Sequence, residues 1–224
     1  SEKVIYKTSD GSEILVSSSQ SVHVMLDGTQ YESKPPQPLM GVISNRLKRG
    51  ATEILIDELA IKVGTLGCPF IPAFLDGMAC KAENWVCQQV FCLDFDNKIL
   101  KITLEEFYER CSALGIHPAF VYFTFSHSSE LDKFRAVFVL SQVVVDIRLR
   151  NFVMLLLMEL FPEVDQECKD PSRIFNGGKG LHSENLQSRI NPIQLLNAWL
   201  KETKKSDPKN FARSKVSLGN KLGI

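Results

Sequence analysis

The sequence predicts an α+β fold. Three observations carry that reading. From Gln88 onward the apolar patterning alternates β-α-β-β-α-β, the order of a ferredoxin-like or RRM-like split βαβ core. A run of β-favouring segments around Asp-Gly pairs precedes it, as an N-terminal α/β extension. At 224 residues, with 44% apolar and 23% charged side chains, the chain is long enough to bury a substantial core.

The elements follow in chain order. VIYKTSDGSEILVSS centres on Asp10-Gly11 and VHVMLDGTQYES holds Asp27-Gly28; both read as hairpins. Ser33–Pro38, SKPPQP, is a short extended connector. Thr52 to Gly64, TEILIDELAIKVG, predicts a helix with a threonine cap and a glycine stop. Gly67 to Gly77 reads as a loop or short strand. QQVFCLDFD, from Gln88, is apolar and β-favouring, and predicts a buried strand. Thr103 and Glu106 have capping-box spacing, and Gly115 closes the helix they open. Pro118–Phe125 and KFRAVFVL read as two strands of a hairpin joined by the polar SHSSELD. Asp146–Phe161 predicts a well-buried helix ended by Pro162. A Gly-rich stretch with a short strand near Arg173–Phe175 follows. Asn191-Pro192 opens a last helix, with asparagine as cap and proline at its first position. The expected division is 1–87, an N-terminal subdomain; 88–190, the RRM-like core; and 191–224, a helix with a basic tail.

Composition narrows the function classes. The formal net charge is zero, which argues against bulk adhesion to nucleic acid, where affinity scales with the phosphates neutralised. The tail beyond Lys201 is locally basic, with Lys204, Lys205, Lys209, Arg213, Lys215 and Lys221 against Glu202 and Asp207. It reads either as a solvated end or as an arm on a phosphate backbone. No stretch has the ~20 apolar residues of a membrane span, and no signal peptide is evident, so a cytoplasmic location and no membrane partner are expected. The six cysteines form no CxxC pair; neither a disulfide framework nor a structural zinc is expected, although Cys168 with His182 is a candidate pair.

Three constellations carry chemistry. In LDFDN, Asp94 and Asp96 are two apart on a strand and so share a face. Like charges this close need compensation, and a hard divalent cation supplies it. In the hairpin, Lys133 and Arg135 share a strand face, with Ser126 and His127 in the preceding loop, a set suited to a triphosphate. Asp165, Asp170 and Arg173 follow, with Gly177 and Gly178 able to let backbone approach a ligand. A carboxylate pair, a cationic strand, then a carboxylate with arginine is a pattern for two-metal nucleotidyl transfer.

From about Gly67 to Gly178 the chain resembles the archaeo-eukaryotic primase superfamily, and looks closest to the primase-polymerases of phages, plasmids and CRISPR-linked operons. LDFDN is similar to its first motif, KFRAVF with SHS before it to its second, and VDQECKDPSRIF to its third. The resemblance implies a DNA primase or polymerase that makes or extends primers from dNTPs or NTPs on a single-stranded DNA template. It implies Asp94, Asp96 and Asp165 as catalytic ligands of two Mg²⁺ or Mn²⁺ ions, with Asp170 competing for the third place. Ser126, His127, Lys133, Arg135 and Arg173 would bind nucleotide. Lys81, Asn84, Trp85 and Gln89 would lie near the site, with Lys81, Asn84 and Trp85 touching template. Further domains or operon partners are compatible with it. The second motif departs from the pattern: Arg135 stands where a histidine is usual, and His127 lies earlier, in the loop. Two alternatives are a catalytically inactive nucleotide- or nucleic-acid-binding module and a two-metal nuclease; the triphosphate-binding cations count against the nuclease.

Overall fold

A computed structural model describes residues 3–7, 13–17 and 21–223. The elements are β1 (Lys3–Lys7), β2 (Glu13–Ser17), β3 (Ser21–Leu26), α1 (Met40–Leu47), β4 (Ala51–Leu55), α2 (Ile56–Gly64), β5 (Phe70–Ile71), β6 (Ala73–Leu75) and β7 (Trp85–Phe95). Then come α3 (Leu104–Leu114), β8 (Phe120–Thr124), β9 (Phe134–Val144), α4 (Ile147–Leu160), β10 (Gly178–Glu184), α5 (Pro192–Ser206) and α6 (Phe211–Leu222). The chain is an α+β fold with antiparallel sheets. The main sheet has the order β10-β8-β9-β7-β6. The order β7-α3-β8-β9-α4-β10 is the β-α-β-β-α-β expected from the sequence. β9 lies between β7 and β8, and β8 between β9 and β10, which makes two interlocked split βαβ units.

Strand alternation sorts the main sheet into two faces. Phe95 and Phe134 are paired in register and stacked at 4.7 Å. They meet Phe107 of α3, which in turn meets Phe161 at the end of α4, 5.3 Å away. On the opposite face Asp94 pairs with Arg135, and Arg135 with Tyr122. That face is approached by α2: a side chain at Gly64 would meet Tyr122 and Leu181. A smaller core of Met25, Ile43, Leu47, Ile71, Ala73 and Leu75 lies in the N-terminal part, between the sheet β4-β3-β5 and α1.

Local signals explain several elements. Thr103 and Glu106 form a complete capping box on α3, and Gly115 ends it in the left-handed region at φ 68°. Asp146 caps α4 and Asn191 caps α5, with Pro192 at its first turn.

Other expectations need correction. Ala51–Leu55 is a strand and not the first turns of a helix, because its residues pair with Ser21–Met25 of β3. Asp27-Gly28 is no hairpin turn; Asp27 is buried, accepts from the Thr29 amide and is paired with Arg46 at 2.9 Å. Asp10-Gly11 lies outside the described residues, though β1 and β2 on either side are antiparallel. Arg173–Phe175 contributes only a bridge, Phe175 to Phe70, and the strand forms later, at Gly178–Glu184. Gly177 and Gly178 admit no ligand. A Cβ at Gly177 would lie 2.3 Å from the Gly67 backbone, and one at Gly178 2.0 Å from the Phe123 carbonyl. The close approach is of chain to chain. Beyond Lys201 the chain is no loose arm: it completes α5 and forms α6, which packs on α4 and α5 through the buried Leu218. Phe211, Leu218 and Leu222 give that helix its apolar stripe. Among the described residues no helix is long and apolar enough to cross a membrane.

Candidate active site

The end of β7 presents Asp94 inside the sheet and Asp96 just past it. Asn97 fixes how the strand leaves. It sits at φ 53°, a region asparagine tolerates. Its amide donates to the carbonyls of Ile102 (2.9 Å) and Asp132 (2.6 Å), and its oxygen accepts from the Ile102 amide (2.9 Å). Asp96 and Lys98 are thereby held on a closed loop at the strand end.

The antiparallel register then matches acid to base in tiers. Asp94 lies opposite Arg135, whose Nε donates to Asp94 Oδ1 at 3.1 Å. One tier outward, Lys133 Nζ is 2.9 Å from Asp96 Oδ1, and Lys98 Nζ is 2.6 Å from its Oδ2. The third segment enters by a backbone bond, Asp165 N–H to Asp94 O at 2.9 Å. Arg173 Nη2 donates to Asp94 Oδ2 at 2.9 Å and to Asp165 Oδ2 at 3.1 Å. Phe175 supports both arginines, with the Arg173 guanidinium 4.7 Å and the Arg135 guanidinium 5.4 Å from its ring centre.

Burial grades outward. Asp94's side chain is 8% exposed, Asp96's 27% and Asp165's 29%. Burial works against the charge on Arg135, but Asp94 and Tyr122 outweigh it and raise its pKa. Arg173 is likewise raised against the effect of burial by Cys168, Asp94 and Asp165. Burial pushes the Asp96 carboxyl up, and the hydrogen bonds from Lys98 and Lys133 more than offset it, holding it below the usual carboxylate range. Burial raises the Tyr122 hydroxyl and pushes the Cys168 thiol to about 11, so both stay protonated beside the cluster at neutral pH.

The structure thus brings together Asp94, Asp96, Asp165, Lys133, Arg135 and Arg173. Asp170 is turned away: its Oδ1 accepts from the Ser172 amide and hydroxyl, both at 2.8 Å. His127 stacks on Phe123 at 3.8 Å, and its Nδ1 accepts from the Lys133 amide, which places it as a brace behind Lys133. Ser126 is exposed in the loop. Cys168 and His182 are apart: Cys168 Sγ accepts from Arg173, and His182 lies against Tyr108. Lys98, Asn97 and Tyr122 join the cluster without having been singled out in the sequence. Lys98 stood within reach, two residues beyond Asp96. Asn176 is a further neighbour: its carbonyl accepts from Arg135, and its Oδ1 is a buried oxygen with no partner among the described residues.

Lys81, Asn84 and Trp85 are elsewhere. Trp85 begins β7 and Asp94 is near its end, about 30 Å away at the usual strand rise. The Trp85 indole donates to Gln88 Oε1 at 3.1 Å, and its ring packs on both cores. Lys81 is exposed, and Asn84 donates to the Ala79 carbonyl within the same turn. Gln89 is buried and donates to the Leu140 carbonyl. Trp85→Ala should therefore cost stability, about 3 kcal/mol by analogy with other large-to-small changes. Denaturant unfolding checks this; an unchanged midpoint with weakened single-strand binding would return Trp85 to the template.

Hard oxygen donors of this kind suit Mg²⁺ or Mn²⁺. The Arg173 nitrogen shared by Asp94 and Asp165 stands where a cation between those carboxylates would sit. Asp96 instead faces its two lysines, and among the described residues no three acidic, histidine or cysteine side chains are arranged to hold one ion. The oxygen donors of Asp94 and Asp165 have the chemistry to hold such an ion, and Arg173 occupies the place between them.

No protein-family model matches the chain, and no curated protein matches it. Among solved structures, the chain is similar to the AEP domain of the cyanophage S-2L primase-polymerase (PrimPol). The likeness covers 81% of this chain and 89% of that one, at 13% identity and a TM-score of 0.45. It is too distant to carry an argument.

Proposed function

We propose that this chain is a metal-dependent nucleotidyltransferase, a primase-polymerase that joins nucleoside triphosphates on a single-stranded template. One observation carries the reading: three carboxylates from two distant segments share one cluster with Lys98, Lys133, Arg135 and Arg173, buried at Asp94 and open to solvent at Asp96, Lys98 and Asp165. Four cations around three acids exceed what pairing requires, and they suit a polyanionic ligand. Asp94 and Asp165, with Asp96 at the rim, would hold Mg²⁺ or Mn²⁺. Bound there, the metal supplies positive charge to the attacking hydroxyl and to the leaving pyrophosphate. Arg173 and Lys133 leave their carboxylates to bind the triphosphate, and Arg135 keeps Asp94 in place. The cluster lies at the end of a sheet braced by Phe95, Phe134 and Phe107, so the strands that carry Asp94, Lys133 and Arg135 are held in place while Lys133 and Arg173 change partners.

A second reading is favoured by one feature. The Asp94 and Asp96 oxygens already have cationic partners, as they would in a module that binds nucleotide or nucleic acid without chemistry. The discriminating experiment is incorporation of labelled dNTP or NTP on a single-stranded template, with and without primer, with Mg²⁺ or Mn²⁺ and with chelator. Incorporation that stops on metal removal is expected. A folded protein that binds nucleotide yet incorporates none under any of these conditions leaves the non-catalytic reading. Cleavage of the template in place of extension would make it a nuclease.

A further inference from the structure

Arg150 lies in α4 among leucine, methionine and phenylalanine, and is 2% exposed. Its Nε donates to Gln88 Oε1 (3.1 Å), and its Nη1 to Asn151 Oδ1 (3.2 Å) and the Lys169 carbonyl (2.6 Å). Its Nη2 donates to the Cys168 carbonyl (3.3 Å). Every one of these acceptors is neutral. Among the described residues no carboxylate pairs with it; Asp170 acts on it only through space. Burial lowers its pKa to about 10, which still leaves it charged at neutral pH.

A buried guanidinium without a carboxylate is costly, and a methionine in its place would fill similar space at no such cost. What methionine lacks is the grip on two consecutive carbonyls. Cys168 and Lys169 lie in the middle of the turn that starts from Asp165 and leads to Arg173. Gln88, the other end of the grip, belongs to β7, the strand that carries Asp94. The turn is therefore fixed to one strand twice: by Asp165 N–H to Asp94 O, and by Arg150 through Gln88.

We infer that Arg150 is a positioning residue for the site, setting the placement of Asp165 and Arg173 relative to Asp94 by holding the carbonyls of Cys168 and Lys169. The inference rests on the nucleotidyltransferase reading for its catalytic consequence, and on geometry alone for its effect on the turn.

The geometry also supplies the test. Arg150 lines a cleft of about 680 Å³ with Met154, Met158 and Lys169, so a free guanidinium ion has a path to the space left by Arg150→Ala. Turnover per folded molecule, measured well below the melting temperature, should fall on the order of tenfold to a hundredfold. Millimolar guanidinium should restore part of it, and the same concentration of sodium none. Amide hydrogen exchange should quicken at Cys168, Asp170 and Arg173, whose N–H groups bond within the turn, and stay unchanged in β7 and β9. A variant that is less stable, yet turns over like wild type and exchanges like wild type in the turn, overturns the inference. If Arg150→Ala does not fold, Arg150→Lys carries the same measurements: it keeps the charge and reaches one carbonyl, so reduced turnover with a loosened turn supports the assignment and wild-type values of both overturn it. A turn that loosens in a protein whose wild type incorporates no nucleotide removes the functional reading and leaves Arg150 as the holder of the turn.

Discussion

Replacing either Asp94 or Asp96 with alanine should abolish metal-dependent nucleotide addition, but the two variants should differ in stability. Asp94 is buried between Arg135 and Arg173, and its removal leaves two poorly solvated guanidinium groups without their shared partner. Breaking a buried pair in this way typically costs about 3–5 kcal/mol. Asp96 is at the rim, and its partner Lys98 is largely exposed and regains water when freed, while Lys133, mostly buried, regains less. Its loss should change stability by less than about 1 kcal/mol. Denaturant unfolding and an incorporation assay on the same preparations separate the two effects. Full activity in a folded Asp96→Ala protein would remove that residue from the metal site; retained activity in both variants would sink the assignment altogether.

Removing a cation should do the opposite: spare the fold and weaken the ligand. Asp94 is held by two arginines and Asp96 by two lysines, so Arg173→Ala or Lys133→Ala leaves each of them still paired. Asp165 has Arg173 as its cation, but it is over a quarter exposed and can be solvated. A charged hydrogen bond to phosphate is worth about 1.5–3 kcal/mol. Nucleotide affinity should therefore fall roughly tenfold to a hundredfold in each variant. Titration with a fluorescent nucleotide checks this at fixed ionic strength, because the same contacts weaken with salt. Wild-type affinity in both variants would place the triphosphate elsewhere.

Much of the cluster was legible because it is written in strand spacing. Asp94 with Asp96, and Lys133 with Arg135, are two apart on strands that an apolar run announces, and such neighbours share a face whatever the rest of the chain does. The caps at Thr103 and Asn191 were legible for the same reason: they involve residues within one turn. What stayed hidden depends on contacts far along the chain. Ala51–Leu55 has a helical look from Thr52 onward, yet a partner strand ~30 residues earlier decides it. Gly177 and Gly178 resemble a ligand loop until Gly67 and Phe123 are seen against them. Arg150 stands in a greasy helix with nothing nearby in sequence to mark its reach across to Lys169. Trp85, for its part, was placed near the site by the resemblance alone, and β7 carries it to the end of the strand far from the acids.

The tiered pairing of Asp94 with Arg135 and of Asp96 with Lys133 has a consequence for how β9 finds its place. Apart from its charges, the strand from Lys133 to Leu140 is phenylalanine, valine, alanine and leucine, side chains that tolerate sliding past one another. A slip of one residue turns every side chain to the opposite face. Lys133 and Arg135 would then point at Phe107 and Phe161, with no acid to meet them, and Phe134 would face the carboxylates. The ionic tiers thus work as a key that only one alignment of the hairpin can turn. Any change that removes both cations at once would relax the choice of alignment as well as empty the site of positive charge.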